Sequence, residues 1–282
     1  MEVTRTVKGL RARTAAARAT RRAVGFVPTM GSFHRGHLSL MGRARQERGF
    51  VVVSIFVNPL QFGPSEDFGS YPRDLDRDLA LAEAEGVDLA FAPEVEEMYP
   101  GGLPDVTVDP GPLGERLEGA SRPGHFRGVA TVVAKLFHVV GPSAAYFGEK
   151  DAQQLAVIRR MVGDLSFPVD VVGCPLVREP DGLALSSRNA YLSPEERTAA
   201  TCLYRAIRGA ADLVANGERD AAAIRARIAA VVEAEPLAHL DYATVVDDDT
   251  FEEIDHLDSP ARALVAARVG KPRLIDNVRL DA

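Results

Sequence analysis

From residue 24 to residue 172 the chain alternates short β-rich runs with stretches of helical periodicity, and few architectures accommodate that alternation. Strand-like runs fall at 24–28, 50–57, 88–92, 145–148 and 169–172. Between them lie a helix starting at Gly36, helices near 75–85 and 129–140, and one starting at Ala152. An Ala- and Arg-rich segment at 8–22 superficially resembles a transit peptide but reads as a first helix of the mature fold. The pattern predicts an α/β fold: a Rossmann-like parallel sheet with helices on both faces and ligands at the carboxyl ends of its strands.

Near Pro175 the pattern changes. Residues 176–188 are polar and turn-rich, Asp181-Gly182 marks a reversal, and Ser193-Pro194-Glu195-Glu196 is a capping box with proline at the first helical position. We therefore expect a catalytic domain over 1–175 and a smaller α+β lid domain over 176–282. The second should hold helices at 194–216, ended by Gly217, and 220–234, with strands at 241–246, 263–269 and 273–280 in a small mixed sheet. The Gly- and Pro-rich segment 100–112 is the candidate flap.

With 46% hydrophobic residues among 282, a large core is available. A formal net charge of −7 argues against a general nucleic-acid or membrane-surface binder, so any bound anion must meet a local patch. Cys174 and Cys202 stand far apart, which suggests neither a disulfide framework nor a thiolate metal site, and a cytoplasmic location is expected.

The densest chemistry lies where the first predicted strand meets the Gly36 helix. Unpaired N–H groups in a first helical turn, together with the helix dipole, favour an anion. Gly31 and Gly36 would let a nucleotide approach the backbone, and Pro28 withdraws a ladder donor. His34 and His37 sit three apart at the helix mouth, where their N–H groups could bind phosphate oxygens; preorganised donors of this kind contribute roughly 3–4 kcal/mol each to a transition state. The alternatives are surface histidines or a metal pair, though this spacing supplies too few ligands for zinc. His34-Arg-Gly-His37 after a first strand resembles the signature of the nucleotidylyl-transferase superfamily.

Four further clusters carry polar chemistry. Asn58 and Gln61 offer amides suited to hydroxyl and carboxylate groups, or else an Asn-Pro turn that caps its own backbone. His125, between two arginines and flanking glycines, could grip a carboxylate or belong to a solvated basic loop. Gly148-Glu149-Lys150-Asp151 opens a helix: Lys150 could neutralise phosphate, and Asp151 could be a helix cap, magnesium ligand or ribose acceptor, or the whole a plain charged helix start. Leu185-Ser186-Ser187-Arg188 resembles the superfamily loop that closes over a triphosphate, and a polar linker is the alternative.

Pro28-Thr-Met-Gly31 ahead of His34-Arg-Gly-His37, Phe56 through Gly63, Tyr71-Pro-Arg73, Gly124 through Val129, Tyr146 through Asp151, Gln153-Gln154 and Asp181 through Asn189 together resemble the pantoate–β-alanine ligase family. The likeness is dense over 20–197 and rests on length and helix pattern beyond. It implies ATP-dependent condensation of pantoate with β-alanine through a pantoyl adenylate. By matching position it implies an ATP site lined by Met30, Gly31, Ser32, Phe33, His34, Arg35, Gly36 and His37, with His37 at the position the family assigns to a proton donor. Because a carboxylate attacking phosphorus needs no proton, we read His37 first as an electrostatic donor.

The same likeness places pantoate on Gln61 and Gln154, with Gln61 also near β-alanine and Asn58 and His125 as further substrate contacts. Gly148, Glu149, Lys150 and Asp151 would receive ribose and phosphates, Val177 adenine through its backbone, and Leu185, Ser186, Ser187 and Arg188 the leaving pyrophosphate. Magnesium is implied by the triphosphate, with Asp78 and Asp151 as candidate ligands, and the resemblance implies a homodimer formed through the larger domain. Ser32-Phe33 and Arg35 depart from the family pattern; Arg35 is expected to face solvent. A different nucleotidylyl transferase of the same fold would need a basic acceptor pocket in place of amides. An RNA-binding or nucleotide-sensing module fits poorly with acidic charge and no aromatic stacking platform.

Overall fold

A computed structural model describes residues 1–63, 68–69 and 71–281. Residues Met1–Pro175 and Leu176–Ala282 form two separate units. In the first, in chain order, lie β1 (Glu2–Thr4), α1 (Val7–Ala19), β2 (Val24–Thr29), α2 (Arg35–Glu47), β3 (Phe50–Ile55), α3 (Leu75–Ala84), β4 (Leu89–Phe91), α4 (Val95–Met98), α5 (Glu118–Ser121), α6 (His125–Val140), β5 (Ser143–Gly148), α7 (Ala152–Asp164) and β6 (Val169–Cys174). The second contains α8 (Pro194–Ala199), α9 (Thr201–Ala215), α10 (Ala221–Glu233), β7 (Ala238–Asp247), β8 (Ala261–Val269) and β9 (Arg273–Leu280).

The first unit's strands run in the order β1-β4-β3-β2-β5-β6, and every neighbouring pair is parallel. A helix between successive strands from β2 to β6 makes this arrangement possible, since parallel neighbours need a crossover. Alternation along each strand then divides the core. Phe26 and Val52 join Leu10, Phe91, Phe137 and Phe147 on the face covered by α1 and α6. Val27, Val51 and Val53 join Phe33, Met41 and Tyr146 on the face covered by α2. Neighbours in space but far apart in sequence, β2 and β5 mark where the strand order reverses. That reversal opens the crevice in which such sheets bind ligands.

Two features of this unit were not anticipated. The edge strand β1 is three residues long, too short for a readable alternation, and is fastened by Glu2 N–H to Asp88 O (2.9 Å) and Ala92 N–H to Thr4 O (3.0 Å). Helix α6 begins at His125, four residues before the expected position, after Gly124 in a left-handed conformation (φ 82°). A Cβ on Gly128 would collide with the Leu60 carbonyl and lie 2.7 Å from Gln61 Cα, so glycine lets α6 press against the turn Pro59–Gln61. The segment 100–112, expected as a flap, is tied to α6 through Val108 N–H and Thr131 Oγ1 (3.0 Å).

In the second unit the strand order is β7-β8-β9 with both pairs antiparallel, which corrects the mixed sheet expected. No helix separates β7, β8 and β9 along the chain, so each turns straight back beside its predecessor. The apolar stripes of α9 and α10, among them Leu203, Ile207, Ile224 and Ile228, pack with Val245 and Val265. The expected helix 194–216 is two helices with a turn at Ala200 between them, and Gly217 (φ 97°) follows α9 as predicted. Ser193 and Glu196 form the reciprocal capping box. Among the described residues no helix is long and apolar enough to cross a membrane.

Candidate active site

Strand β2 leads into α2 through a loop whose backbone bends through left-handed conformations at Gly31 (φ 86°) and Ser32 (φ 54°). Its shape is held from α3. The buried carboxylate of Asp78 accepts the Ser32 N–H at Oδ2 (2.7 Å) and the Phe33 N–H at Oδ1 (2.8 Å). Asp78, expected as a magnesium ligand, thus braces the loop backbone with both oxygens. Phe33 is likewise buried in the core beside α2, so the side-chain departure at this position serves packing. Arg35 is exposed, as expected.

At the start of α2 the two imidazoles cap the helix. His34 Nδ1 accepts the Gly36 N–H (3.1 Å), and His37 Nδ1 accepts the His34 N–H at a longer 3.4 Å. A ring nitrogen that accepts a hydrogen bond carries no proton, so these bonds favour the tautomer of each ring with hydrogen on Nε2. Gly36 is required because its Cβ would lie 2.8 Å from His34 Cε1, under the ring. Although His37 retains some accessible surface, protein encloses its ring, and its pKa is pushed down to about 3. Burial is the main cause, followed by His34; Asp151 raises the value and Lys150 lowers it. The loop after β2 and the turn after β5 therefore act on one another electrostatically at the point where the strand order reverses. Here His37 can donate a hydrogen bond at neutral pH without being a cation.

Beyond β5, Lys150 and Asp151 lie in the short turn Glu149–Asp151 and pair at 3.3 Å. Asp151 precedes α7 without capping it through its side chain, which removes the helix-cap alternative. Gln153 is buried and structural: Nε2 donates to Leu113 O (2.9 Å) and Arg116 O (2.8 Å), while Oε1 accepts the Glu118 N–H (3.1 Å). Gln154 is half-buried on the next position of the helix.

The amide cluster occupies the turn after β3. Asn58 has all four hydrogen-bonding positions filled by protein. Its Nδ2 donates to Gln61 Oε1 (3.2 Å) and Gly128 O (3.1 Å), while Oδ1 accepts from Tyr99 OH (2.8 Å) and Leu60 N–H (3.3 Å). Gln61 Nε2 donates to Met30 Sδ (2.8 Å). His125 supports Gln61 from behind: Nδ1 donates to the Gln61 carbonyl (2.9 Å) and Nε2 accepts from Arg122 Nη1 (3.0 Å). Asn58 and His125, expected as substrate contacts, frame Gln61 through these bonds. Tyr99 and the loop-holding part played by Asp78 escaped the sequence reading; the only signal for Asp78 was a carboxylate at a buried position of α3.

In the second unit Leu185 N–H donates to Val177 O (3.0 Å), which joins two candidate nucleotide-binding segments in one hairpin. Gly182 (φ 94°) makes its turn, where a Cβ would collide with the Tyr204 ring. Arg178 anchors the hairpin through a bidentate pair with Asp276 (2.6 and 2.9 Å) and lies 4.7 Å from the centre of the Tyr204 ring. Ser186 Oγ accepts the Arg188 N–H (3.2 Å) and caps the short helix Ser187–Tyr191.

The family model for pantoate-beta-alanine ligase matches residues 2–279 of this chain. The chain belongs to the pantoate-beta-alanine ligase family. The pantothenate synthetase of Roseiflexus castenholzii is 60% identical over 260 residues, 92% of this chain and 93% of that protein. That of Roseiflexus sp. is 58% identical over the full length of both. The crystal structure of pantothenate synthetase from Thermus thermophilus superposes with a TM-score of 0.92 at 54% identity, covering 99% of each chain. Pantoate-beta-alanine ligase from Francisella tularensis, solved with beta-gamma ATP and β-alanine, superposes at 0.80 with 34% identity, covering 99% of this chain and 97% of that one. Membership in the family makes this chain a ligase with an α/β sheet domain and an antiparallel C-terminal region.

Among the described residues no group of three or more His, Cys, Asp or Glu is arranged to hold a metal ion. Magnesium in phosphate chemistry takes one or two carboxylates together with substrate oxygens. Asp151, exposed at the end of the turn after β5, fits that mode; Asp78 is buried with both oxygens on the loop backbone.

Proposed function

We propose that the chain condenses pantoate with β-alanine in two steps. The pantoate carboxylate attacks the α-phosphorus of ATP and expels pyrophosphate; the β-alanine amine then attacks the pantoyl adenylate, giving pantothenate and AMP. What supports this reading is that His34 and His37 cap α2 directly after β2, while Lys150 and Asp151 follow β5, the strand beside β2 at the reversal of strand order, and that both charges influence the pKa of His37. Neutral N–H donors, the positive end of α2 and one ammonium group then surround a single place suited to phosphate oxygens.

Each group has a role in this reading. The Nε2–H groups of His34 and His37 donate to oxygens on which charge grows as the α-phosphorus is attacked, and the loop from Met30 to Gly36 receives the nucleotide along its backbone. Lys150 offsets charge at the α-phosphate, while Gly148, Glu149 and Asp151 meet ribose and phosphate. Magnesium, held by Asp151, would neutralise phosphate charge. Gln61 and Gln154 hold pantoate, and Asn58 and His125 keep Gln61 in place. In the second unit Val177 and Leu185 meet the nucleotide and Ser186, Ser187 and Arg188 the pyrophosphate, Arg188 through paired guanidinium hydrogen bonds. A cytoplasmic homodimer completes the reading.

Exchange of labelled pyrophosphate into ATP, measured without β-alanine, isolates the first step. Exchange that depends on pantoate is the expected result. Exchange driven by a phosphorylated acceptor, with none from pantoate, would assign the chain to a different nucleotidylyl transfer.

A further inference from the structure

Burial of an apolar side chain fixes where a segment sits but not how it is turned, whereas a guanidinium that meets a carboxylate through two parallel hydrogen bonds also fixes direction. The hairpin that carries Val177 and Leu185 is held in both ways. Leu183 is buried in the apolar core of the second unit with Leu203 and Ile207. Two arginine–aspartate pairs add direction. Arg178, within the hairpin, donates to both oxygens of Asp276 on β9 (2.6 and 2.9 Å), and Arg197 of α8 donates to both oxygens of Asp181 at the turn (2.8 and 3.1 Å). The pairs differ in their access to water: the Asp276 side chain is 1% exposed and that of Asp181 48%. Solvent weakens the outer pair, so the inner one sets how the hairpin is turned.

Both members of the inner pair are themselves held. Arg178 Nη1 also donates to Gly182 O (2.9 Å), and its guanidinium carbon lies 4.7 Å from the centre of the Tyr204 ring. Asp276 Oδ1 accepts the Asn277 N–H (2.7 Å), and Asn277 Oδ1 accepts from Arg262 of β8 (2.6 Å). From Arg178 the placement passes forward along the chain. The Arg178 backbone bridges that of Ala184, and Ala184 O accepts from Asn189 Nδ2 (3.0 Å) across the loop holding Ser186, Ser187 and Arg188. We infer that Arg178 and Asp276 are positioning residues that aim the loop 186–188 at the pyrophosphate of ATP. This rests on the reading that the loop meets pyrophosphate. Gln61 and Gln154, read as the pantoate contacts, belong to the first unit and do not depend on the pair.

The test is pantoate-dependent pyrophosphate exchange, measured without β-alanine, in the wild type, Asp276→Asn, Arg178→Lys, Arg197→Met and Arg188→Ala. Asp276→Asn keeps the shape of the carboxylate and removes its charge. Arg178→Lys leaves Asp276 facing a cation but removes the two-pronged geometry, and it carries the test if Asp276→Asn does not fold. Each should raise KM for ATP and for pyrophosphate about tenfold while KM for pantoate changes less than about twofold, because a displaced loop loses the phosphate contacts first. Arg197→Met, at the exposed pair, should keep all three constants within about twofold of the wild type. An equal rise for pantoate overturns the proposal, since general loosening of the fold would affect every substrate alike. A rise in Arg197→Met as large as in the buried-pair variants also overturns it. If Arg188→Ala raises KM for pyrophosphate and the buried-pair variants do not, positioning fails alone; if Arg188→Ala also leaves it unchanged, the assignment of pyrophosphate to the loop fails first.

Discussion

The imidazoles of His34 and His37 lie with ring centroids 4.2 Å apart, and each uses Nδ1 to accept a backbone hydrogen at the N-terminus of α2, His34 from Gly36 and His37 from His34. Two side chains that might have been proton carriers are thereby held as neutral N–H donors. Enclosure by protein and a neighbouring imidazole disfavour a second proton on His37, whose pKa falls to about 3.

The pH dependence follows from that depression. An unfolded chain protonates this histidine near the ordinary imidazole value of 6.5, whereas the folded one resists until about 3. The stability His37 contributes is therefore fully present above pH 6.5 and is lost as pH falls toward 3. Denaturant midpoints measured from pH 7 to 4 should fall less steeply in His37→Gln than in the wild type. In proton NMR of the folded enzyme, the His37 ring should show no titration between pH 5 and 8; a midpoint near 6.5 would remove the argument.

Asp78→Ala should loosen the loop after β2. The substitution leaves the buried N–H of Phe33 and the half-buried N–H of Ser32 without their acceptor, at a cost of roughly 2–4 kcal/mol in stability. In the folded fraction KM for ATP should rise at least about tenfold with KM for pantoate less affected, because a displaced backbone reaches the nucleotide first. Urea denaturation and steady-state kinetics check the two parts separately.

Gly128→Ala tests the seat of Gln61. Alanine gains up to about 1 kcal/mol in helix propensity over glycine, yet its methyl group would collide with the Leu60 carbonyl. Overpacking of this kind typically costs about 1–3 kcal/mol, so net destabilisation is expected together with a raised KM for pantoate. A variant of wild-type stability and unchanged KM would show that α6 can give way.

Lys150→Met keeps the length of the side chain and removes its charge. Pantoate-dependent exchange should drop by roughly 10²–10³-fold in kcat, the usual result of deleting a preorganised charge-stabilising group. Little change in Tm is expected, because the Lys150–Asp151 pair is a neighbouring-residue contact that is partly open to solvent. Wild-type exchange by this variant would refute the phosphate role.

Much of the fold was legible because its signals are local. Alternating β-rich and helical runs announced β2 to β6, the capping box at Ser193 announced α8, and Asp181-Gly182 announced the hairpin turn. Such patterns arise from contacts within a few residues of one another. The edge strand β1 and the antiparallel sheet were not readable, because three residues carry no period and strand direction depends on which partner is reached.

For the site, the residue types and spacing in His34-Arg-Gly-His37 and Gly148-Glu149-Lys150-Asp151 were sufficient to propose a phosphate-binding chemistry, since the open first turn of a helix favours an anion wherever it is placed. Tertiary structure alone decided which polar groups remain for a ligand. Asp78 meets Ser32 across 46 positions, Tyr99 meets Asn58 across 41, and His125 meets Gln61 across 64. Hydrogen-bonding capacity is finite: an amide such as Asn58, whose four positions are filled inside the protein, has nothing left to give a substrate, and only the folded chain determines where they are filled.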